Sequence, residues 1–306
     1  MLINKLFRKM IKKIFRRTKT NYKIDDFCIE LSKGHMLPEY QEEFCYYDKI
    51  IPFLVNVTDN NSDNSWIIDI GANVGDTLYA MLRHTNANFL CLEPDKDFFQ
   101  LLEKNVSTLD IQYKNRIKCI NAFVGLDSLA NLVTEKQYGT AHKVVVDVDS
   151  ANSGNLVPTK TLKELLEINA IDLDQVSLIK VDTDGYDWEC IMSIGKDLFD
   201  KDIVLYWKHY LDKGNEIQLT GSYDLANYLT DMGYTTFFCF DNFGNYISSG
   251  NADFLNDMTG YLYRLNENKT ARTMYYIDVL ACKKDKVQNM QNMIENFYKV
   301  VGEKNA

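Results

Sequence analysis

Acids and glycines recur at the ends of short apolar runs in this chain. Asp69 closes WIID (66–69) and is followed by Gly71, Asn73 and Gly75. Glu93 closes NFLCLE (88–93), 24 residues after Asp69, and Asn121 ends a third run. Asp182 closes VSLIKVD (176–182) with Asp184 just beyond, and His209 closes IVLYWKH (203–209). An acid that ends a second buried strand can accept both hydroxyls of a ribose, so Glu93 is the firmest nucleoside ligand. Two glycines four apart permit positive φ and close approach of backbone to a ligand. The turn lacks the G-x-G-x-x-G spacing that makes room for a pyrophosphate, which disfavours a nicotinamide dinucleotide and leaves a smaller nucleoside cofactor. His209, Asp184 and Asp182 are the candidate proton acceptors for a hydroxyl substrate, with His209 equally readable as a structural strand-end histidine. Lys180 and Lys208 can pair with these acids and keep them ionised. Two acids with no third ligand nearby make a poor metal site, so no metal is expected.

These positions need a scaffold that brings strand ends together. Residues 66–79, WIIDIGANVGDTLY, read as a buried strand, a ligand-cradling turn and a helix, the last from the spacing of Leu78, Met81 and Leu82. A second helix follows Pro94, with Phe98, Leu101, Leu102 and Val106 as its apolar stripe. Thr161 and Glu164 form a capping box. Helices are expected over 39–51, 222–232 and 254–265, strands over 235–240 and 275–282, and an amphipathic helix through Val287, Met290, Ile294, Phe297 and Val301. Strands alternating with helices imply a doubly wound, mostly parallel α/β sheet, with the last two strands an antiparallel hairpin.

The chain has 306 residues, 46% hydrophobic and 25% charged, which suits a globular protein with a sizeable core. Its seven cysteines stand singly, with no C-x-x-C pair, which argues for a reducing compartment and against a zinc site. No signal peptide or membrane span is readable, so a cytoplasmic protein is expected. The net charge of −9 hides an asymmetry: residues 1–19 hold eight Lys or Arg and no acid, leaving 26 basic against 43 acidic residues in the body. A body so acidic repels a phosphate backbone, which disfavours nucleic acid as partner. Residues 2–17 place Ile3, Phe7, Met10, Ile11 and Ile14 on one face of a basic helix, which either docks on its own domain or lies on an anionic membrane surface. The expected division is a basic helix at 1–20, an aromatic-rich cap at 21–62, the main domain at 63–284 and a closing helix at 285–306.

Five segments, in this order, resemble the FkbM-type family of S-adenosylmethionine-dependent methyltransferases: DIGANVGDT (69–77), CLEPD (91–95), NAFVG (121–125), IKVDTDGYDWE (179–189) and FDNFGN (240–245). The lead-in LPEYQEEFCYYDKIIPFL (37–54) is similar to the family's as well, so the likeness spans about residues 33–283. The chain departs from the family's usual D-x-E-G-x-E, having Asp182-Thr183-Asp184-Gly185-Tyr186-Asp187, with both later acids one methylene shorter. The resemblance implies a Rossmann-like class I methyltransferase fold, S-adenosylmethionine as cofactor, and O-methylation of a sugar hydroxyl in a glycan or glycolipid. The alternatives are a catalytically silent protein that kept the fold for binding, or a methyltransferase for a small molecule or peptide. On this reading Asp69, Gly71, Asn73, Gly75, Glu93, Asn121 and Asp182 bind the cofactor, Asn121 near the adenine. Asn73 equally suits a turn residue and Asp69 a cap of nearby amides. Tyr261, Tyr263, Tyr210 and Trp207 offer aromatic faces on which a sugar can stack, or belong to the core.

Overall fold

The computed structural model describes residues 21–58, 64–126, 132–137, 140–145, 159–267 and 274–305. The basic segment at 1–20 and the loop residues 59–63 lie outside the described residues, so the expected N-terminal helix is not part of this description.

A two-stranded ribbon, β1 (Asn21–Ile24) and β2 (Phe27–Glu30), precedes two short helices, α1 (Leu37–Glu43) and α2 (Ile51–Thr58). The sequence suggests one helix over 39–51, but the chain turns through 44–50 and carries Asp48 at φ 56°, and α2 starts one residue before Pro52. Proline fits there because a first-turn residue needs no N–H partner. The main sheet follows, with β3 (Trp66–Ile70), α3 (Asp76–Met81), β4 (Asn88–Leu92), α4 (Lys96–Ser107) and β5 (Ile117–Ile120). Next come α5 (Leu162–Ile168), β6 (Val176–Val181), α6 (Asp187–Met192), β7 (Val204–Tyr210) and α7 (Glu216–Asp231). The chain closes with β8 (Tyr234–Asp241), β9 (Tyr246–Gly250), α8 (Ala252–Glu267), β10 (Tyr276–Lys283) and α9 (Val287–Asn305). The capping box of α5 is present, Thr161 accepting from the Glu164 amide while Glu164 takes the Thr161 N–H.

The eight strands lie in the order β9-β8-β10-β7-β6-β3-β4-β5. From β7 to β5 every pair is parallel, whereas β10 runs antiparallel between β7 and β8. This is the doubly wound, mostly parallel Rossmann-like arrangement expected from the sequence, with antiparallel strands at its C-terminal edge. The tight hairpin, however, is β8–β9, turning at Asn242–Gly244, and β9 was not expected from the sequence. Its YISSG is mostly exposed and pairs on one side, so burial never selected a readable apolar pattern there.

Helices cover both faces. On one, α5, α6, α7 and α8 bury Ile68, Leu90, Ile179, Leu205 and Trp207; on the other, α2, α3, α4 and α9 bury Ile67, Phe89, Leu178, Val204 and Tyr206. Because side chains alternate along a strand, this second face also receives Asp69, Lys180 and Lys208 at the carboxyl ends of the strands. Strand order reverses between β3 and β6, where helices diverge and leave a crevice. The turns of the cap between α1 and α2 close over it.

Candidate active site

The crevice is a cavity of about 310 Å³, in the range of small-ligand sites. One side is built by the β3–α3 turn. Gly71 has φ 77°, and a Cβ there would lie 2.0 Å from the backbone oxygen of Asp182, so the turn can pass β6 only as glycine. Gly75 has φ 91° and Asn73 φ 48°, which asparagine tolerates better than most residues. The Asn73 amide donates to Glu93 Oε2 at 2.8 Å, and the Asp95 amide to Glu93 Oε1 at 2.7 Å. Burial pushes the Glu93 carboxyl up to about 8, against the pull of these two amides. Each of its oxygens keeps a further lone pair for a hydroxyl donor. Phe98, Ala122, Phe123 and Val124 supply the apolar wall beside it.

The other side carries charge. Lys180 Nζ lies 3.0 Å from Asp69 Oδ1 and 3.9 Å from Asp182 Oδ2. Burial works against the Lys180 charge, but Asp69, Asp182 and Asp76 outweigh it and hold the ammonium well above its ordinary value. Lys208 Nζ lies 2.8 Å from Asp184 Oδ1 and 3.3 Å from Asp182 Oδ1, over the Tyr276 ring at 4.6 Å. Burial raises the Asp182 carboxyl, but Lys208 and Lys180 win and leave it below its ordinary value. Asp187 ties the 182–187 turn together by accepting the Thr183 and Gly185 amides at 2.9 and 3.1 Å, and burial first of all raises it to about 7.

Among the expected residues, Gly71, Asn73, Glu93, Asp182 and Asp184 line the cavity. Gly75 sits behind the turn, and Asp69 lies beneath it on Lys180. Asn121 is a correction: it is not in the wall, and its amide donates to the carbonyls of Glu93 and Pro94 at 2.8 and 2.9 Å, fastening the β4–α4 loop. His209 is another. It lies on the opposite face of β7, with Trp207 Nε1 3.3 Å from its Nδ1 and Thr259 Oγ1 2.9 Å from its Nε2, and burial lowers it to about 4. Its neighbour Lys208 points into the cavity instead, since one residue along a strand reverses the face. Trp207 is buried on the same wrong face, and Tyr210, Tyr261 and Tyr263 do not line the cavity either.

Sequence reasoning missed Tyr47, Asp48, Tyr206, Tyr276 and Asp278, all in the wall. Period-two alternation from Lys208 would have found Tyr206, and Tyr276 and Asp278 share one face of β10 in the same way. Asp48 carries no such signal. Among the described residues no trio of His, Cys, Asp or Glu is arranged as a metal site.

The model of the methyltransferase FkbM domain matches residues 69–236. No curated protein matches the chain. Among solved structures, similarity is found to an O-methyltransferase from Bacillus cereus in complex with SAH, at 10% identity and TM-score 0.42, covering 77% of this chain and 80% of that one. A putative caffeoyl-CoA O-methyltransferase from Staphylococcus aureus is similar at 12% identity and TM-score 0.41, covering 90% and 99%.

Proposed function

This chain belongs to the methyltransferase FkbM domain family, and on that premise we propose that it is an S-adenosylmethionine-dependent O-methyltransferase acting on a sugar hydroxyl of a surface glycan or glycolipid precursor. The observation that carries the cofactor is Glu93: a buried strand-end carboxyl, anchored by two amides, opens onto the cavity beside an apolar wall of Phe98, Ala122, Phe123 and Val124. The cofactor supplies a methyl group as an electrophile. The chain's own residues hold and orient: Glu93 accepts ribose hydroxyls, Gly71 and Asn73 shape the turn beneath, and Phe98, Ala122 and Phe123 exclude water. Alignment of two bound partners contributes about 7–11 kcal/mol, against about 10²–10⁴ in rate from a base, so positioning dominates.

For the hydroxyl, Asp182 and Asp184 replace His209 as the cavity-lining candidates, and Lys208 pairs with both. Asp184→Asn is expected to lower turnover by about 10² while leaving cofactor affinity near that of the parent. His209→Gln is expected to lower the melting temperature and leave turnover of the folded protein unchanged. Steady-state kinetics beside thermal melts check both, and a His209→Gln protein that is folded but inactive would restore the histidine to the chemistry.

Mass spectrometry of surface glycans from cells lacking the gene tests the acceptor. A glycan missing about one CH₂ per lost methyl is expected; an unchanged profile removes the glycan from the reading. No helix among the described residues is long and apolar enough to cross a membrane. Residues 2–17 are proposed to lie on the cytoplasmic face of an anionic bilayer, their seven cationic side chains adding about 1 kcal/mol each near such a surface. The full chain should co-sediment with anionic vesicles and be released by salt. A chain starting at Asn21 should not bind, and equal partitioning of the two would refute the anchor.

A further inference from the structure

FDNFGN (240–245) forms the tip of the β8–β9 hairpin, and none of its residues lines the cavity. The tip is internally braced. Asp241 Oδ1 accepts the amides of Phe243 and Asn245, both at 2.9 Å, and the Gly244 amide donates to the Asp241 carbonyl at 2.9 Å. A turn closed by its own aspartate holds its outward groups in fixed positions.

Those groups reach the cap. The Phe243 ring lies 4.2 Å from that of Phe44, Phe44 stands 6.3 Å from Tyr40, and Tyr40 stands 5.1 Å from Tyr47. Gly244 passes so close to the cap backbone that a Cβ there would meet the Tyr46 carbonyl oxygen at 2.5 Å. From the other side, the Tyr298 hydroxyl of α9 donates to the Gly244 carbonyl at 2.6 Å, and its ring stands 4.9 Å from that of Tyr46. The third residue of the tip faces the sheet. Asn242 is 6% exposed, and its Oδ1 accepts the Tyr275 amide at 3.0 Å, which fixes the start of β10. Tyr40, Tyr47 and Tyr276 all line the cavity, and the hydroxyls of Tyr47 and Tyr276 are joined by a hydrogen bond. One turn therefore holds both halves of this phenol pair, the cap half through Phe44 and Tyr46 and the sheet half through Tyr275.

We propose that the β8–β9 turn is a latch for the cap, in which Asn242, Phe243 and Gly244 are positioning residues that seat Tyr47 on Tyr276 and close that side of the cavity. The latch itself needs no assignment of the cavity's ligand, whereas its effect on binding S-adenosylhomocysteine, the product form of the cofactor, rests on the methyltransferase reading above. An aromatic pair such as Phe243 and Phe44 is worth about two- to tenfold in the equilibrium between docked and undocked cap. A Cβ at Gly244 acts more strongly, because the atom it meets is backbone and no change of rotamer relieves the clash. A ligand whose binding-competent state is populated about one time in ten binds about tenfold more weakly.

The test is amide hydrogen exchange of the ligand-free full chain beside calorimetric titration with S-adenosylhomocysteine, on the parent and on Gly244→Ala, Phe243→Ala and Gly233→Ala. Gly233 has φ 87° against 84° for Gly244, but a Cβ there would have no neighbour nearer than 3.8 Å, so Gly233→Ala carries the backbone strain without the wedge. Gly244→Ala should speed exchange across residues 40–51 and weaken S-adenosylhomocysteine by about tenfold. Phe243→Ala should speed the same amides by about two- to tenfold. Gly233→Ala should lower the melting temperature comparably and leave both cap exchange and affinity as in the parent. Cap exchange at the parent's rate in both turn variants, equally fast cap exchange in Gly233→Ala, or a cap loosened by Gly244→Ala that still binds S-adenosylhomocysteine as the parent does would each overturn the latch. Phe243→Ala decides the matter if Gly244→Ala does not fold. Failure of the parent to bind S-adenosylhomocysteine would remove the cofactor reading, and exchange in the ligand-free chain would then judge the latch alone.

Discussion

Glu93→Ala is expected to lower affinity for S-adenosylmethionine roughly 100-fold. Two charge-assisted hydrogen bonds to the ribose at about 1.5 kcal/mol each give that factor. The same change strips the Asn73 and Asp95 amides of their acceptor, 2.8 and 2.7 Å away in the parent, so the turn beneath the ligand loosens too. Each orphaned amide costs about 1–3 kcal/mol, and the melting temperature should fall with the affinity. Glu93→Gln retains a carbonyl for one amide and should suffer less in stability than in binding. Since burial lifts the Glu93 carboxyl to about 8, ribose donors that favour the carboxylate should make affinity rise with pH up to that value. Calorimetry against thermal melts separates the two losses; undiminished affinity in the alanine variant would place the nucleoside elsewhere.

Lys180→Met should be the most destabilising single change in the site. Asp69 is fully buried in the middle of the sheet, with Lys180 Nζ 3.0 Å from Oδ1, and its Oδ2 has no hydrogen-bond partner among the described residues. Removing the ammonium leaves an uncompensated charge, a loss of about 3–5 kcal/mol. At roughly 2–4 °C per kcal/mol for a protein of this size, the melting temperature should drop on the order of 10 °C. The pH dependence has a definite sign. Burial already raises the folded-state Asp69 carboxyl in the parent, against the pull of Lys180; removing the ammonium raises it further, so the folded variant binds more protons and the deficit shrinks as pH falls from 7 toward 5. Adding Asp69→Asn to Lys180→Met should recover much of the stability, as a double-mutant cycle would show. A single variant that melts like the parent would mean that the pair is dispensable to the fold.

The parts of this protein that were legible in its sequence are those specified locally. WIID, the glycine turn and the stripe of α4 each depend on near neighbours, and Glu93 announces itself by closing a buried strand. The phase of a strand is less secure. His209 and Lys208 are adjacent, and which of them enters the cavity depends on which face of β7 meets α2, a long-range fact. Asn121 ends its strand as a ligand would, but its amide is spent on the loop carbonyls that hold Glu93 in place. The cap was legible as a segment rich in aromatics, whereas the turn that lifts Asp48 into the cavity is a left-handed residue with no preceding glycine or asparagine to mark it. Asp278 looks like a polar interruption of an apolar strand until the sheet order sets β10 beside β7.

Transfer of a labelled methyl group tests the central claim most directly. The full chain is incubated with S-adenosylmethionine carrying the label and with separated glycan, protein and nucleic-acid fractions of a cell extract, beside Glu93→Ala as a control. Label should appear in the glycan fraction, survive as an O-methyl sugar after hydrolysis, and be absent with the variant. Label confined to the protein or nucleic-acid fraction, or transfer that Glu93→Ala leaves intact, would contradict the account.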